Sequence, residues 1–319
     1  MSKPRIHWVD TAKGIAILMV ILGHTQCAPV YLRAVAVSCQ VPLLFFLSGY
    51  TFRPKSIRLL IGSSARQLLV PWVLVSLYSL CINNQRLTLP ALASGLYFNL
   101  SWQVNPSVPA VGPSWFLLAL FFARIILNGL VEPSQRRNCS AMLWLSSLCF
   151  GTIAVVLANL LDRLVPLGIS QIFSAIAYLI LGYMFRQSNS LDSRVRHIGI
   201  AMIPLCLIWG LCILVSTIDI GSNLYLGFPA ISQIGSLAGI AVVIRLSVLI
   251  DGFSRAPSDL LAWIGMNSLG IYIVHSLDMS IPWNDLVLHA WSMYSPVGLL
   301  VFFARASFDT LVYKSIAAK

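Results

Sequence analysis

Charged residues are scarce in this sequence. They make up 10% of its 319 residues, and Asp and Glu together number only 10. A soluble globular domain carries about 25% charged residues, whereas 58% of this chain is hydrophobic. Several apolar runs are long enough to span a bilayer. The scarcity of charge therefore excludes an ordinary soluble protein and predicts a polytopic membrane protein.

Cysteine motifs and a cleavable leader are also lacking. None of the seven cysteines stands in a CxxC pair, and most lie in apolar runs, so we expect small buried side chains. The first apolar run lacks a small-x-small cleavage site and continues into His24 and Gln26, so we expect it to be retained as a membrane span. Tandem repeats and long soluble segments do not stand out. We therefore expect a single integral-membrane domain over residues 1–319.

Basic residues set the predicted topology. The net charge is +11, but Lys and Arg cluster in short loops, which indicates orientation rather than nucleic-acid binding. Of 21 basic residues, only Arg33, Arg86 and Arg163 fall in predicted external segments, and the other 18 lie on or near the cytoplasmic side. This pattern predicts an all-α fold with about ten transmembrane helices and both termini in the cytoplasm. The predicted spans are 11–30, 35–52, 67–82, 113–130, 141–160, 170–185, 198–218, 229–250, 260–277 and 290–311.

The first predicted span carries two polar residues that hydrocarbon disfavours. Lys13 and His24 are 11 residues apart, about three helical turns and roughly 16 Å, and so lie on nearly the same face. A neutral imidazole can accept a proton, as a general base for a hydroxyl acceptor must. The alternative for His24 is a packing role against a neighbouring helix. Lys13 would contact an anionic ligand, or snorkel and pair with Asp10 at i,i+3.

A second polar stretch, IGMNSLGIYIVHS, lies near the end of the chain. Ser268, Tyr272 and His275 fall at i, i+4 and i+7 on one helix face, just after Asn267. His275 has a predicted depth similar to that of His24. The two histidines therefore form a shared site or are separate interfacial residues. Spacing places no carboxylate or third ligand beside them, so no metal is predicted.

Two further residues and one connecting segment each allow two interpretations. Trp115 would anchor its helix at the external interface or stack on a sugar ring. The polar connection 83–112 suits an acceptor-binding lid or a plain loop. Ser48 in LSGYTF is a nucleophile or a small packing residue, and we favour packing because no nucleophile-elbow signature surrounds it.

Six stretches, in the same order, resemble the membrane acyltransferase 3 family in its fucose 4-O-acetylase-like branch. They are WVDTAKGIAILMVILGH, VPLLFFLSGYTF, RQLLVPWVL, PSWFLLAL, IAYLILGYMFR and WIGMNSLGIYIVH. The resemblance implies a multi-pass enzyme of the bacterial inner membrane. Such an enzyme takes an acetyl group from cytoplasmic acetyl-CoA and places it on a glycan hydroxyl at the external face. Its partners would be the lipid bilayer and the glycan acceptor, with no metal and no nucleic acid.

The first-helix motif of that family is a basic residue followed eleven positions later by histidine. It matches Lys13 and His24, and Asp10 matches as well. The resemblance implies a catalytic role for the histidine, and a basic residue that positions the acyl donor or substrate. Many members carry a histidine where this chain has Gln40. Glutamine hydrogen-bonds but does not titrate, so we interpret Gln40 as a substrate-positioning residue.

The expected mechanism is direct transfer, with His24 deprotonating the acceptor hydroxyl. Candidate stabilisers of the developing oxyanion are Gln40, Asn267 and Ser268. Candidate ligands of the CoA phosphates are Lys13, Arg58 and Arg66. A transient acyl-histidine is the mechanistic alternative. The rival class is a transporter or flippase for a polar lipid or small solute, which two similar halves of the chain would favour.

Overall fold

The computed structural model describes residues 5–83, 88–137, 139–188, 202–253, 255–283 and 297–318. This described part is almost entirely helical, and its two strands, β1 (Thr217–Asp219) and β2 (Leu224–Leu226), pair in a small sheet. The helices are α1 (His7–His24), α2 (Val30–Thr51), α3 (Ile57–Ser64), α4 (Val70–Asn83), α5 (Leu89–Phe98), α6 (Trp115–Arg136), α7 (Ser140–Leu160), α8 (Ile169–Gln187), α9 (Met202–Val215), α10 (Pro229–Phe253), α11 (Arg255–Met266), α12 (Ser268–Asp278) and α13 (Gly298–Ala317). The predicted all-α fold is confirmed.

Several helices have the length and composition of membrane spans. Among the described residues, six segments are long and apolar enough to cross a membrane: Val30–Thr51, Ile57–Ile82, Gly112–Arg136, Ser140–Leu160, Pro166–Gln187 and Pro229–Phe253. α11 and α12 make a seventh if the bent pair is one span. The chain is therefore a multi-pass membrane protein, as predicted, but the number ten is not confirmed. The beginnings of predicted spans 198–218 and 290–311, and the predicted external Arg86, lie outside the described residues.

The predicted span 260–277 is broken in the structure. α11 and α12 meet at an angle of 71°, and Asn267 lies at the bend as the N-cap of α12. Its side-chain amide donates to the Trp263 carbonyl over 2.8 Å and accepts a hydrogen bond from the Tyr313 hydroxyl over 3.0 Å. A kink needs partners for the polar groups that it frees. The polar residue that marked this stretch in the sequence thus supports a change of direction.

The connection 83–112 contains a helix that sequence analysis did not predict. α5 begins after Thr88, whose hydroxyl accepts the Ala91 amide over 3.3 Å as an N-cap. It ends at Asn99, which adopts the left-handed conformation with φ of 53°. Threonine and asparagine are favoured at these two positions. The segment is therefore not a plain loop throughout, and its role as an acceptor-binding lid stays a prediction.

The first compact unit comprises the described parts of residues 1–44, 190–218 and 227–319. α1 lies inside this unit, packed chiefly along α11 and also against α10, α12 and α13. Ten of its 18 residues are buried, Asp10 among them. Polar residues lower the hydropathy of α1, so it is not one of the apolar spans above. Enclosure by other helices explains how the unit tolerates them.

Glycines allow α1 and α11 to approach backbone to backbone. A Cβ on Gly14 would overlap the Leu261 carbonyl, and a Cβ on Gly265 would overlap the Asp10 carbonyl. Small residues permit this kind of contact between membrane helices. The close approach fixes the axial position of α1, and with it the positions of the polar side chains that α1 carries.

The beginning of α1 is tied to α10 and α11 by a carboxylate. His7 Nδ1 lies 2.7 Å from Asp251 Oδ1, and the Thr11 hydroxyl donates to the same oxygen over 3.0 Å. The Ser258 hydroxyl donates there as well. The hydrogen bond with Asp251 raises the pKa of His7 above its ordinary value. The predicted cytoplasmic end of α1 is therefore held by polar contacts.

The second compact unit comprises the described parts of residues 45–189 and 219–226. Helix α8 packs against α6 and α7. The buried Gln171 amide donates to the carbonyls of Asn99 and Gly221 over 3.0 and 2.6 Å, and its oxygen accepts from the Asn99 amide over 3.2 Å. Arg186 donates to the carbonyls at the end of α2. Satisfied polar groups therefore lie inside this unit.

Replacing Gly265 by Ala should disrupt the contact between α1 and α11. The new methyl group meets backbone, which cannot rotate away, so we expect a loss of about 3 kcal/mol in the free energy of unfolding. The measurement is chemical unfolding of the purified protein in detergent. Gly210→Ala in α9 is the control, because a Cβ there meets nothing within 4 Å. Equal stability of the two variants would contradict the close approach.

Candidate active site

His24 is the last residue of α1, and the structure fixes which of its nitrogens carries hydrogen. Its Nδ1 lies 2.8 Å from the Val20 carbonyl oxygen, one helical turn earlier. A carbonyl only accepts, so Nδ1–H is the donor, and the neutral ring then keeps its lone pair on Nε2. The side chain is half-buried. His24 is thus held in the tautomer that a base needs for accepting a proton at Nε2.

His275 lies beside His24. The two ring centroids are 5.3 Å apart, and the ring planes are inclined at 66°. His275 belongs to α12 and is completely buried. The sequence left open a shared site or two separate interfacial residues; the structure brings the two rings together, and their role as one site stays a prediction. The bend at Asn267 sets the direction of α12, and so directs His275 towards the end of α1.

Two carboxylates hold the inner edge of His275. Its Nδ1 lies 3.0 Å from Asp309 Oδ2 and 3.4 Å from Asp278 Oδ1. Nδ1–H therefore donates to carboxylate oxygen, which leaves the lone pair on Nε2. Neither Nε2 of His275 nor Oδ1 of Asp309 has a hydrogen-bond partner among the described residues. Buried polar atoms without partners are costly in a folded protein, and here they mark the place where a polar ligand group would bind.

Arg305 of α13 connects these groups to α1. It is 2% exposed. Its Nε and Nη2 donate to the two oxygens of Asp278 over 2.7 and 2.5 Å, and its Nη1 donates to the His24 carbonyl over 2.9 Å. The guanidinium thus closes the C-terminal end of α1, where helix carbonyls need donors and favour positive charge. Arg305 was counted above with the cytoplasmic basic residues, and that assignment is wrong, because it lies at the level of His24.

The charges of this cluster favour an added proton. Arg305 contributes one positive charge, and Asp278 and Asp309 contribute two carboxyl groups. With both carboxyls ionised, the cluster has a net charge of −1 unless a proton resides on a histidine. A buried net charge is expensive. With neutral histidines the cluster therefore has one carboxylate more than its fixed cation, so an added proton reduces its net charge.

Three of these side chains also have the composition of a cation site. Ligand atoms of His275, Asp278 and Asp309 all lie within 4.8 Å of one another. However, the Arg305 guanidinium already donates to both oxygens of Asp278, and a divalent ion would have to displace it. The guanidinium supplies the positive charge that these carboxylates need. Because Arg305 occupies the oxygens of Asp278, we still predict that the reaction uses no metal ion.

Gln40 approaches the same end of α1. Its side chain is 4% exposed, and a Cβ on Gly23 would lie 2.9 Å from Gln40 Oε1. The amide therefore packs against the residue that precedes His24. Oε1 has no hydrogen-bond partner in the described part of the chain. A carbonyl oxygen in this position suits a hydroxyl that donates to it, which agrees with the expected substrate-positioning role.

Lys13 and Asp10 form an ion pair at the other end of α1. Lys13 Nζ lies 3.7 Å from Asp10 Oδ1, as the i,i+3 spacing predicted. Asp10 is 9% exposed. The pair is about three helical turns from His24, so it does not touch the histidine cluster. Its role with the acyl donor stays a prediction.

The structure does not gather the remaining sequence candidates around His24. The Asn267 side-chain amide makes its hydrogen bonds at the bend, and Ser268 is the first residue of α12. Trp115 lies in the second unit, 4% exposed, with its ring against Phe45 and Phe116. It is a core residue there rather than a surface anchor. Arg58 and Arg66 belong to that unit as well and are exposed.

Sequence analysis missed three members of the cluster: Asp278, Arg305 and Asp309. A signal for them was present. Arg305 and Asp309 stand at i,i+4 within the predicted span 290–311, and Asp278 stands three residues after His275. Ionisable residues inside membrane segments are functional candidates by default. Counting Arg305 among the basic residues on or near the cytoplasmic side concealed this pattern.

The fold and the site together define a class. This is a polytopic membrane protein with two adjacent histidines, one of them supported by carboxylates and an arginine. The model of a family described as acyltransferase domain, acyltransferase 3, matches residues 6–307, which is nearly the whole chain. The chain therefore belongs to the acyltransferase 3 family, and it is an acyltransferase. A search of curated proteins found no match to it.

Replacing Arg305 by Met should destabilise the protein strongly. Asp278 would be left buried without its cation, and losing one partner of a buried pair costs about 3–5 kcal/mol. The double variant Arg305→Met/Asp278→Leu should recover much of this loss, because no unpaired charge remains at either position. The measurement is chemical unfolding in detergent.

Arg136→Met is the control for that comparison, since Arg136 and Glu132 form an exposed i,i+4 pair worth only about 0.3–0.5 kcal/mol. A double variant less stable than Arg305→Met alone would contradict the pairing of Arg305 with Asp278.

Proposed function

We propose that this acyltransferase moves an acetyl group from cytoplasmic acetyl-CoA to a hydroxyl of a cell-surface glycan or its lipid-linked precursor. It would do so in a bacterial inner membrane. The observation that carries the proposal is the hydrogen bond from His24 Nδ1–H to the Val20 carbonyl. It presents Nε2 as a base at the end of a helix, next to a second buried histidine. The fucose 4-O-acetylase-like branch remains part of the proposal.

In the proposed reaction, Nε2 of His24 removes the proton of the acceptor hydroxyl. The oxygen forms a bond to the thioester carbonyl carbon, and the carbon–sulfur bond then breaks. The proton on His24 passes to the departing CoA sulfur, so the histidine ends as it began. Gln40 Oε1, which has no partner among the described residues, accepts a hydrogen bond from the acceptor before transfer. General-base help of this kind contributes about 10²–10⁴-fold in rate.

His275 and Asp309 stabilise the protonated state of His24. The imidazolium formed during the reaction lies beside a ring whose Nδ1–H is held by the Asp309 carboxylate at 3.0 Å. Negative charge in a poorly solvated site favours a nearby cation much more than it does in water. His275 and Asp309 together thereby lower the free energy of the state in which the acceptor hydroxyl has lost its proton.

Donor binding is proposed for the opposite end of α1. Lys13 is three turns from His24 along the helix, on the predicted cytoplasmic side. Arg58 and Arg66 are exposed, as residues that meet soluble phosphates must be. The proposal assigns the phosphates of CoA to basic side chains on the predicted cytoplasmic side, and the thioester to the level of His24. The transporter reading gains no support from the family to which the chain belongs.

His24→Ala should abolish acetyl transfer without loss of folded protein, because the base is removed while α1 keeps its glycine contacts. The loss should be at least about 10²-fold. The measurement is acetyl release from labelled acetyl-CoA to extracted glycan, supported by mass spectrometry of surface glycans. The control is His7→Asn, which changes a histidine at the other end of α1. Normal glycan acetylation by His24→Ala would sink the proposal.

Asp309→Asn should lower kcat about tenfold and leave KM nearly unchanged. The amide keeps the shape of the side chain but lacks the charge that stabilises the imidazolium. The measurement is steady-state kinetics of the purified protein in nanodiscs. A purely structural role would instead change stability and KM, and an unchanged kcat would contradict the electrostatic role of Asp309.

A further inference from the structure

A cavity of about 230 Å³ lies between α2, α9 and α10 in the first unit. Apolar residues contribute to its wall, among them Val30, Ala34, Val37 and Ile213. The volume is below the roughly 300–1,000 Å³ of pockets that enclose a whole drug-sized ligand. The cavity therefore suits one segment of a larger molecule.

The serine hydroxyls in the cavity wall are already committed. The hydroxyls of Ser216 and Ser232 form a hydrogen bond with each other. The Ser236 hydroxyl donates to the Ser38 carbonyl, and the Ser38 hydroxyl accepts the Trp209 indole N–H over 2.8 Å. Hydroxyls with internal partners offer little to a polar ligand. The wall consequently favours an alkyl or isoprenoid segment over a sugar or nucleotide.

Arg33 is the exception in this lining. It is half-buried, and its Nη1 donates to the Gln26 carbonyl over 3.0 Å. Its Nε has no hydrogen-bond partner among the described residues, and no carboxylate of the described chain lies within 4 Å of its guanidinium. A partly buried cation is costly without a counter-charge. A guanidinium is well shaped to bind phosphate.

The cavity adjoins the candidate active site. Val37, which lines the cavity, and Gln40 both pack against Gly23, the residue before His24: a Cβ there would lie 3.1 Å from Val37 Cγ2 and 2.9 Å from Gln40 Oε1. A group bound at Arg33 would therefore hold whatever is attached to it near His24. A largely apolar cavity that carries one cation suits an amphiphile with an anionic head group and an apolar chain.

We propose that this cavity binds a membrane lipid phosphate, with the phosphate at Arg33 and the start of its apolar chain along the wall. The inference rests on the proposed function and names its acceptor: the glycan would be carried on an isoprenoid phosphate, which presents a sugar hydroxyl to His24. The phosphate oxygens would accept hydrogen bonds from Nε–H and from Nη2 of the guanidinium. Binding itself involves no covalent step.

The test is lipid binding to the full-length protein in phosphatidylcholine nanodiscs, without acetyl-CoA, by native mass spectrometry. The probe is a long-chain polyisoprenyl monophosphate. The corresponding neutral alcohol should bind about tenfold more weakly, since it lacks the charge-assisted hydrogen bonds. Inorganic phosphate at the same concentration should not compete, because it lacks the chain. Equal binding of alcohol and phosphate would overturn the inference, as would full competition by inorganic phosphate.

Two variants locate the site. Arg33→Gln should weaken phosphate-lipid binding about tenfold and leave alcohol binding unchanged, whereas Ala34→Phe should weaken both by filling the cavity. Arg163→Gln, at another predicted external arginine, is the control and should bind like the wild type. If Arg33→Gln does not fold, the comparison of phosphate and alcohol on the wild type and on Ala34→Phe decides. Unchanged lipid binding by the Ala34→Phe variant would overturn the assignment of the lipid to this cavity.

Phosphatidylglycerol provides the final discrimination. Competition by it as effective as that of the isoprenoid phosphate would show that any anionic lipid fits, and would overturn the assignment to the acceptor carrier. The binding test is independent of catalysis. If the lipid binds as expected and no acetyl transfer is found, only the proposed function fails. If acetyl transfer occurs without lipid binding, only this inference fails.

Discussion

The structure of the first unit depends on one buried guanidinium. Arg305 binds both oxygens of Asp278 and the carbonyl of His24, so it joins α12, α13 and the end of α1 with three strong donors. Desolvating these charges is expensive, and only complete pairing offsets the cost. A geometry this demanding leaves little freedom. The position of His24 is therefore set by the ion pair between Arg305 and Asp278.

Backbone contact and charge act together on α1. Gly14 and Gly265 let α1 lie against α11 without intervening side chains, while His7 and Arg305 hold its two ends. A helix fixed in this way can carry polar groups through the interior of a membrane protein, since protein rather than lipid surrounds them. The same enclosure lowers the local dielectric, which makes each charge near His24 more effective.

Sequence reasoning predicted the fold class, because scarcity of charge and long apolar runs are properties of the chain itself, and it identified the family from the resemblance of six stretches in order. It also selected His24 and His275, two costly residues in apolar runs. It missed Arg305 and Asp309, because a basic residue near the chain end fits a topology rule as readily as a buried pair. It also missed the bend at Asn267, since a satisfied kink and a polar site residue look alike in sequence. Which partner occupies a polar atom is decided by tertiary packing.

The excess negative charge of the cluster offers a reason, within the proposed reaction, for two imidazoles where one base would suffice. A lone histidine that takes the acceptor's proton in a desolvated site becomes an isolated buried cation, which is unfavourable. Beside Asp309 and His275, the same proton joins a cluster whose carboxylates exceed its fixed cation by one. In the proposed reaction, the base would therefore work within a group that can carry positive charge and return the proton to the leaving sulfur.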